Sequence, residues 1–293
     1  MKTELIVGQT SILPIKIDGF TIWGKAEFMN PSGSIKDRPI YNILKSGFDD
    51  GLLKKGDTVV EATSGNAGIS FAMFSAQMGL KCVIIMPSNM SQERKKILNF
   101  YGAELIEVGD GDFEGAIKLR DKLSYDNGWF NGNQFNNPKN IEAHYEGTGV
   151  ELLYQCKCFE INPSAFILGT GTGGTLMGAG KLLSEQFPNI KIVAIEPEES
   201  PVMSGGKSGL HGIQGIGDGS KFMVDLNFVD KIITVSTKDS TDMALRLSKE
   251  FGIFVGVSAG ANVLGSLRYC QETGEDNVIT ILCDRGERYL TCM

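Results

Sequence analysis

The sequence of 293 residues predicts a doubly wound α/β protein with mostly parallel sheets. Short runs of β-branched and other apolar residues alternate with segments of helical periodicity along nearly the whole chain. The runs are continuously apolar, which is typical of parallel strands that are covered by helices on both faces. Three of the runs end in turns rich in small residues, and ligands bind at such strand ends in sheets of this kind.

The first half of the chain alternates strands and helices. A helix is expected to start near Pro39. Strands are then predicted at residues 57–62, 82–86 and 104–108, with helices at 69–78 and 91–101 between them.

The second half repeats this alternation. Strands are predicted at residues 165–168, 190–195, 231–235, 254–257 and 278–282, separated by helical stretches. The length of the chain suits two lobes. Residues 131–140, rich in Asn and Gly, are the expected crossing between them.

The composition argues against several classes of protein. A net charge of −7 without a basic tract predicts no binding to nucleic acid or to an anionic membrane surface. No apolar run approaches the ~18 residues of a membrane span, and the N-terminus lacks a signal-peptide pattern. The cysteines are scattered and the chain has two histidines, which predicts reduced thiols in the cytoplasm and no metal site.

Residues 30–38 place Lys36 behind a loop that contains Pro31, Gly33 and two serines. A lysine in such a tight loop can be partly desolvated, which favours its neutral amine, the nucleophile that forms Schiff bases with carbonyl cofactors. The alternative interpretation is a simple loop that enters a helix.

Two turns are candidate anion sites. Residues 63–68 (Thr-Ser-Gly-Asn-Ala-Gly) present hydroxyls, an amide and backbone N–H groups at a helix start, which suits a carboxylate or a phosphate. The alternative is an ordinary capped turn. The glycine-rich loop, residues 169–175, follows a strand and lets backbone N–H groups approach a phosphate closely.

The glycine-rich loop also admits a different cofactor. Gly169, Gly171 and Gly174 match the spacing of the dinucleotide fingerprint, and Glu196 lies where an acid that binds ribose is expected. An NAD-dependent dehydrogenase therefore remains an alternative. In a third turn, residues 256–262, Ser258 is either a helix N-cap or a hydrogen-bond partner of a ring atom.

Together these segments resemble the pyridoxal-phosphate (PLP) cysteine synthases, or O-acetylserine sulfhydrylases, of the tryptophan synthase β fold type. The resemblance runs from about Gly8 to Leu290. Residues 90–94 and 283–286 resemble the B-type enzymes, whereas residues 212–217 resemble the A-type. The resemblance implies two doubly wound lobes with PLP in the cleft between them. Residues 1–32 and 139–293 would form the larger, phosphate-binding domain, and residues 33–138 the smaller, mobile one.

The resemblance also implies roles for single residues. Lys36 resembles the Schiff-base lysine, which then acts as the general base at the substrate Cα. Ser258 resembles the residue whose hydroxyl pairs with the pyridine nitrogen of PLP. Asn66 resembles the residue whose amide bonds the phenolic oxygen of PLP. The phosphate would be held by Gly171, Thr172, Gly173, Gly174 and Thr175. The substrate carboxylate would be held by Thr63, Ser64, Asn66 and Gln134.

The implied reaction is β-replacement on a small L-amino acid through an aminoacrylate intermediate. The second reactant would be sulfide, a thiol or water. The resemblance further implies a homodimer and, as a macromolecular partner, the tail of a serine acetyltransferase. A non-catalytic binding protein with the PLP fold remains a further alternative.

Three residues depart from the family pattern. Ala67 replaces the usual threonine, Ser11 replaces a proline, and Asp218 replaces a small residue in a loop that borders the β-end of the substrate in the family. Asp218 could protonate a leaving thiolate or activate an incoming nucleophile. We therefore expect either cysteine synthesis from O-acetylserine and sulfide, or use of L-cysteine with release of hydrogen sulfide to give serine or lanthionine. A solvent-facing turn aspartate is the alternative.

Overall fold

The computed structural model describes residues 5–63 and 65–290. Among these residues the strands are β1 (Ile12–Ile17), β2 (Phe20–Lys25), β3 (Thr58–Ala62), β4 (Lys81–Pro87), β5 (Glu104–Val108), β6 (Phe130–Asn131), β7 (Ala165–Gly169), β8 (Lys191–Pro197), β9 (Lys231–Val235) and β10 (Val278–Ile281). The α-helices are α1 (Asp37–Asp49), α2 (Asn66–Met78), α3 (Gln92–Phe100), α4 (Phe113–Asn127), α5 (Pro138–Ala143), α6 (Val150–Cys158), α7 (Gly174–Gln186), α8 (Thr237–Phe251) and α9 (Val257–Thr273). A π-helix spans His144–Gly149. The predicted α/β class with mostly parallel sheets is confirmed.

The described residues fall into two compact units. The first contains residues 5–7 and Lys36–Asn140, and the second contains Gly8–Ile35 and residues 141–290. The sequence predicts domain boundaries after residues 32 and 138, whereas the units change after residues 7, 35 and 140, so that residues 5–7 lie in the first unit.

The first unit is built on a parallel sheet of four strands in the order β5-β4-β3-β6. Every residue of β4 after Lys81 is buried, as expected for an inner strand that is covered on both faces. Because parallel strands end at the same edge of a sheet, the residues that follow β3 and β6 are neighbours at that edge.

The second unit contains a sheet of six strands in the order β1-β2-β10-β7-β8-β9. β1 and β2 form an antiparallel hairpin, which is absent from the predicted strands, and the other neighbours are parallel. Asp18 and Gly19 connect β1 to β2 with φ values of 49° and 89°. Positive φ at both positions is what a two-residue turn between twisted strands requires.

The strand predicted at residues 254–257 is wrong. Only Val255 makes an isolated bridge, to Arg285, and α9 already begins at Val257. Of this apolar run only Val257 lies on α9, where it is buried together with Ala259 and Ala261, and residues 254–256 precede the helix. A short apolar run does not distinguish a strand from a buried helix segment.

Within the described ranges, no helix combines the length and the apolar composition that crossing a bilayer requires.

Candidate active site

Lys36 lies immediately before α1 in the first unit, with a half-buried side chain. Its carbonyl accepts a hydrogen bond from the Ile40 backbone N–H at 3.2 Å. The hydroxyl of Ser70 lies 2.6 Å from the buried carboxylate of Asp37 and 3.2 Å from the carbonyl oxygen of Asn66. Ser70 therefore connects the start of α1, next to Lys36, with the start of α2 at Asn66.

The turn between β3 and α2 places Thr63 and Asn66 at a helix N-terminus. The buried Thr63 hydroxyl accepts a hydrogen bond from the Gly65 backbone N–H at 3.1 Å. Gly65 is the N-cap of α2, and among the described residues no side-chain hydrogen bond to this cap is present, since glycine has no side chain. The start of α2 thus presents backbone N–H groups that can bind an anion. Ser64 lies outside the described residues.

Gln134 is buried at the same edge of the sheet as Thr63. Its backbone N–H donates to the Glu61 carboxylate at 3.1 Å, and the Ala62 N–H donates to that carboxylate at 2.9 Å. Burial raises the pKa of Glu61, and the Arg120 guanidinium at 3.0 Å opposes this shift. Glu61 therefore ties the end of β3 to the segment that carries Gln134.

The sequence interpretation missed the role of Glu61. The available signal is a single acidic residue inside an otherwise apolar strand, Thr-Val-Val-Glu-Ala. A buried carboxylate in such a run implies a partner elsewhere in the chain.

In the second unit, the glycine-rich loop connects β7 to α7. A Cβ atom on Gly171 would lie 2.5 Å from the carbonyl oxygen of Gly215, and Gly173 has a φ of +87°. The Gly174 N–H donates to the Thr172 hydroxyl at 3.3 Å. The loop thus surrounds the N-terminus of a helix with backbone N–H groups at positions where a side chain would not fit. These residues fit a phosphate-bearing cofactor.

Ser258 is buried in the first turn of α9. The N-cap of α9 is Gly256, so the alternative of Ser258 as an N-cap is wrong. Asn262, one turn further along, accepts a hydrogen bond from the Gly169 N–H and donates one to the Ile281 carbonyl, both at 2.7 Å. Asn262 therefore fixes the start of α9, with Ser258, beside the strand end where the glycine-rich loop begins.

Asp218 lies in a turn between Gly217 and Gly219, whose φ values are +68° and +78°. The Gly217 N–H donates to the carbonyl of Thr170 at 3.0 Å. The half-buried Asp218 carboxylate lies 3.6 Å from the position of a Cβ on Gly171. The turn is thus attached to the glycine-rich loop, and its carboxylate lies beside that loop.

Glu196 does not offer a free carboxylate to a ribose. It is buried and accepts hydrogen bonds from the backbone N–H groups of Met203 at 2.7 Å and Ser204 at 2.9 Å. These bonds stabilise the turn after β8. The dinucleotide interpretation of the glycine-rich loop is therefore not supported.

The predicted site residues are divided between the two units. The first unit contains Lys36, Thr63, Asn66 and Gln134. The second contains Ser258, Asp218, Gly171, Thr172, Gly173, Gly174 and Thr175. Apart from Asp218, which lies in the segment between β8 and β9, these residues follow the carboxyl ends of strands or lie at helix starts.

Comparisons with known proteins identify the family. A family model described as "Pyridoxal-phosphate dependent enzyme" matches residues 3–284. A cysteine synthase of Staphylococcus aureus (strain N315) is 43% identical over 293 residues, covering 98% of this chain and 94% of the relative. A hydrogen sulfide-producing enzyme from Fusobacterium nucleatum has a TM-score of 0.93 and 38% identity, covering 98% of this chain and 88% of that one.

The solved structure of an O-ureido-L-serine synthase is similar to this chain as well. It has a TM-score of 0.92 and 35% identity, and the match covers 98% of this chain and 92% of that one. With matches over almost its whole length and a loop suited to the cofactor phosphate, this chain belongs to the pyridoxal-phosphate-dependent enzymes, in the cysteine synthase family.

Proposed function

We propose that this enzyme replaces the β-substituent of a small L-amino acid, using L-cysteine as substrate and releasing hydrogen sulfide. The observation that carries the proposal is the Asp218 carboxylate, 3.6 Å from the position of a Cβ on Gly171. Membership of the cysteine synthase family supports the reaction type, and Asp218 supports the choice of leaving group.

PLP is the cofactor of the family to which this chain belongs. We assign the covalent bond with its aldehyde to Lys36, the phosphate to residues 171–175, the pyridine nitrogen to Ser258 and the phenolic oxygen to Asn66. When bound, PLP supplies an electron sink for the charge that develops at the substrate Cα. The amine of Lys36 would act as the general base that removes the Cα proton of the substrate.

The substrate carboxylate would bind at the start of α2. Thr63, Ser64, Asn66 and Gln134 are the proposed ligands, and the helix N-terminus favours negative charge there. Ala67 is buried in this first turn and adds no hydroxyl to the loop. Glu61 supports the arrangement by holding the Gln134 segment beside the end of β3.

Asp218 would move protons at the β-position. Its carboxyl would protonate the leaving sulfur of L-cysteine and then accept a proton from water or from the thiol of a second L-cysteine. The balanced reactions are L-cysteine and water to L-serine and hydrogen sulfide, or two L-cysteine to lanthionine and hydrogen sulfide. An ionised carboxylate at this place also repels the hydrosulfide anion.

The second candidate is cysteine synthesis, in which O-acetyl-L-serine and hydrosulfide give L-cysteine and acetate. It is favoured by the 43% identity with a cysteine synthase. The two candidates share the first half of the reaction and differ in which β-substituent leaves and which nucleophile arrives.

An assay with single substrates separates the candidates. Purified holoenzyme is given L-cysteine alone, or O-acetyl-L-serine with sulfide, and the sulfide and amino-acid products are quantified. We expect sulfide from L-cysteine together with serine or lanthionine. Absence of sulfide from L-cysteine alongside brisk consumption of O-acetyl-L-serine would assign the enzyme to cysteine synthesis instead.

Asp218→Asn tests the proposed role of the carboxylate. We expect sulfide release from L-cysteine to fall about a hundredfold, since general acid–base catalysis contributes roughly 10²–10⁴. The control is Asp225→Asn, which changes an exposed aspartate seven positions away and should keep the wild-type rate. Equal rates for Asp218→Asn and wild type would contradict the role.

We also propose a homodimer in a reducing cytoplasm. The cysteines at positions 82, 156, 158, 270 and 283 are free thiols, which suits a reducing compartment. An apolar groove of about 820 Å³ lies between β1, an edge strand, and α6. Tyr154 and Phe159, which line it, are 69% and 58% exposed. An apolar patch beside a sheet edge is typical of a surface that another chain covers.

The tail of a serine acetyltransferase is a further proposed partner. The support is membership of the cysteine synthase family. Titration of a tail peptide against the holoenzyme, with and without O-acetyl-L-serine, tests this partner.

A further inference from the structure

His144 lies in the second unit and is only 2% exposed. Both nitrogen atoms of its ring have a hydroxyl partner. Nε2 is 3.2 Å from the hydroxyl oxygen of Thr175, and Nδ1 is 2.9 Å from that of Thr148. The imidazole thus bridges the π-helix, which carries Thr148, and the first turn of α7, which carries Thr175.

Local packing explains why the ring reaches Thr175. A Cβ atom on Gly178 of α7 would lie 2.3 Å from the Ile141 carbonyl oxygen and 2.9 Å from the His144 Cβ. The absence of a side chain at Gly178 therefore allows α7 to approach the backbone before the π-helix. π-Helical turns are rare and often occur at functional sites.

If Thr175 binds an anion, the hydroxyls of Thr175 and Thr148 favour one placement of the proton on the His144 ring. Thr175 has one hydroxyl hydrogen, and an anion accepts hydrogen bonds but donates none. When Thr175 donates to the anion, its oxygen can accept from a protonated Nε2 of His144. Nδ1 then accepts from the Thr148 hydroxyl, which completes a chain of three donors directed at the anion.

We propose that His144 is a positioning residue that makes Thr175 a hydrogen-bond donor to the cofactor phosphate. The proposal rests on the assignment of residues 171–175 to the phosphate. His144 acts through Thr175 and requires no contact with the cofactor. Its loss leaves the Thr175 hydroxyl free to rotate and to direct its hydrogen elsewhere.

The test compares two ligands that differ only in the phosphate group. The dissociation constants of PLP and of pyridoxal, which lacks the phosphate, are measured by absorbance titration of the apoenzyme. For His144→Phe we expect PLP to bind about tenfold more weakly, the effect of weakening one charge-assisted hydrogen bond. Pyridoxal binding should change less than about twofold.

Two further variants refine the comparison. In His144→Gln, the amide nitrogen can take the place of Nε2 as a donor, so most of the PLP affinity should return. Thr148→Val removes the hydroxyl partner of Nδ1. It should weaken PLP binding less than His144→Phe does. The circular dichroism and melting temperature of each apoenzyme show whether it folds. If His144→Phe does not fold, His144→Gln and Thr148→Val still allow the test.

Each outcome decides the proposal. An equal fall in PLP and pyridoxal affinity would overturn the proposal, because a merely structural role affects both ligands whether or not they carry a phosphate. No fall in either affinity would overturn it as well. Thr175→Ala separates this failure from failure of the loop assignment. If Thr175→Ala weakens PLP binding and His144→Phe does not, His144 has no positioning role. If Thr175→Ala has no effect and inorganic phosphate does not compete with PLP, the loop assignment itself is wrong.

Discussion

At the scale of single residues, Lys36 is the side chain on which the proposed chemistry depends most directly. Lys36→Ala should remove the yellow colour of the lysine-bound cofactor and lower turnover at least about a thousandfold, because nucleophile and base are lost together. Visible spectra and the L-cysteine assay measure both effects. Lys45→Ala is the matched control, since Lys45 also belongs to the α1 region but forms an exposed ion pair with Asp49. Retained colour and turnover in Lys36→Ala would refute the assignment.

The buried thiols give a prediction that does not involve the active site. Burial raises the pKa of Cys82 to about 12 and that of Cys270 to about 11. At pH about 8, Cys82 should hold about a thousandfold less thiolate than a thiol of ordinary pKa. We expect neither residue to react with iodoacetamide in the native protein and both to react in denaturant, as peptide mass spectrometry would show. Rapid native labelling of Cys82 would contradict its placement.

Glu61 shows what single-residue reasoning could not reach. Lys36 was suggested by its immediate neighbours, because a loop of small residues before a helix is visible in the sequence. The partners of Glu61 are Arg120 and Gln134, which are 59 and 73 positions away. Only the fold brings them together, so the sequence could indicate a buried charge but not its partners.

At the scale of structural elements, the glycine-rich loop depends on close backbone approach. Gly171→Ala would place a Cβ 2.5 Å from the Gly215 carbonyl oxygen, so the loop or the Asp218 turn must move. We expect PLP affinity to fall at least about tenfold, the effect of one lost charge-assisted hydrogen bond. Absorbance titration of the apoenzyme measures this. Gly109→Ala is the control, because its nearest neighbour would be at an ordinary 3.7 Å. Unchanged affinity in Gly171→Ala would show that the loop tolerates a side chain.

The elements differ in how well their patterns predicted them. β5 and β9 were predicted with the observed bounds, because short runs that contain apolar and β-branched residues and are bounded by turns identify such strands. The hairpin of β1 and β2 was not recognised, although Asp18-Gly19 is a typical hairpin turn. Residues 254–257 were assigned to a strand because their apolar run does not show that the helix starts within it.

At the scale of the whole molecule, the apolar groove between β1 and α6 leads to a prediction about assembly. Tyr154→Glu would place a charge in the proposed dimer surface, and we expect it to convert a dimer into a monomer in analytical ultracentrifugation. The control is Phe100→Glu, because Phe100 is 90% exposed on α3 in the first unit. That variant should remain dimeric. A dimer that persists in Tyr154→Glu would move the interface elsewhere.

The chain as a whole was identified by the order of its motifs rather than by any one of them. The glycine-rich loop alone admitted two cofactors, and Glu196 made the dinucleotide interpretation reasonable. The structure shows Glu196 bonded to the turn that contains Met203 and Ser204, a local arrangement that spacing along the chain does not reveal. The family then followed from agreement along nearly the full length.

The glycine-rich loop has a consequence for how this enzyme can evolve. Its proposed contacts with the phosphate come largely from backbone N–H groups, which every residue except proline supplies, although Gly171 and Gly173 leave no room or no conformation for another side chain. Asp218, in contrast, is a single side chain that one nucleotide change converts to asparagine, glycine or alanine. As long as Lys36 and these glycines are kept, mutational drift should therefore preserve cofactor binding more readily than the proposed chemistry at the β-position. In a library of random variants that keep Lys36 and the glycines of the loop, colour should be retained more often than sulfide release.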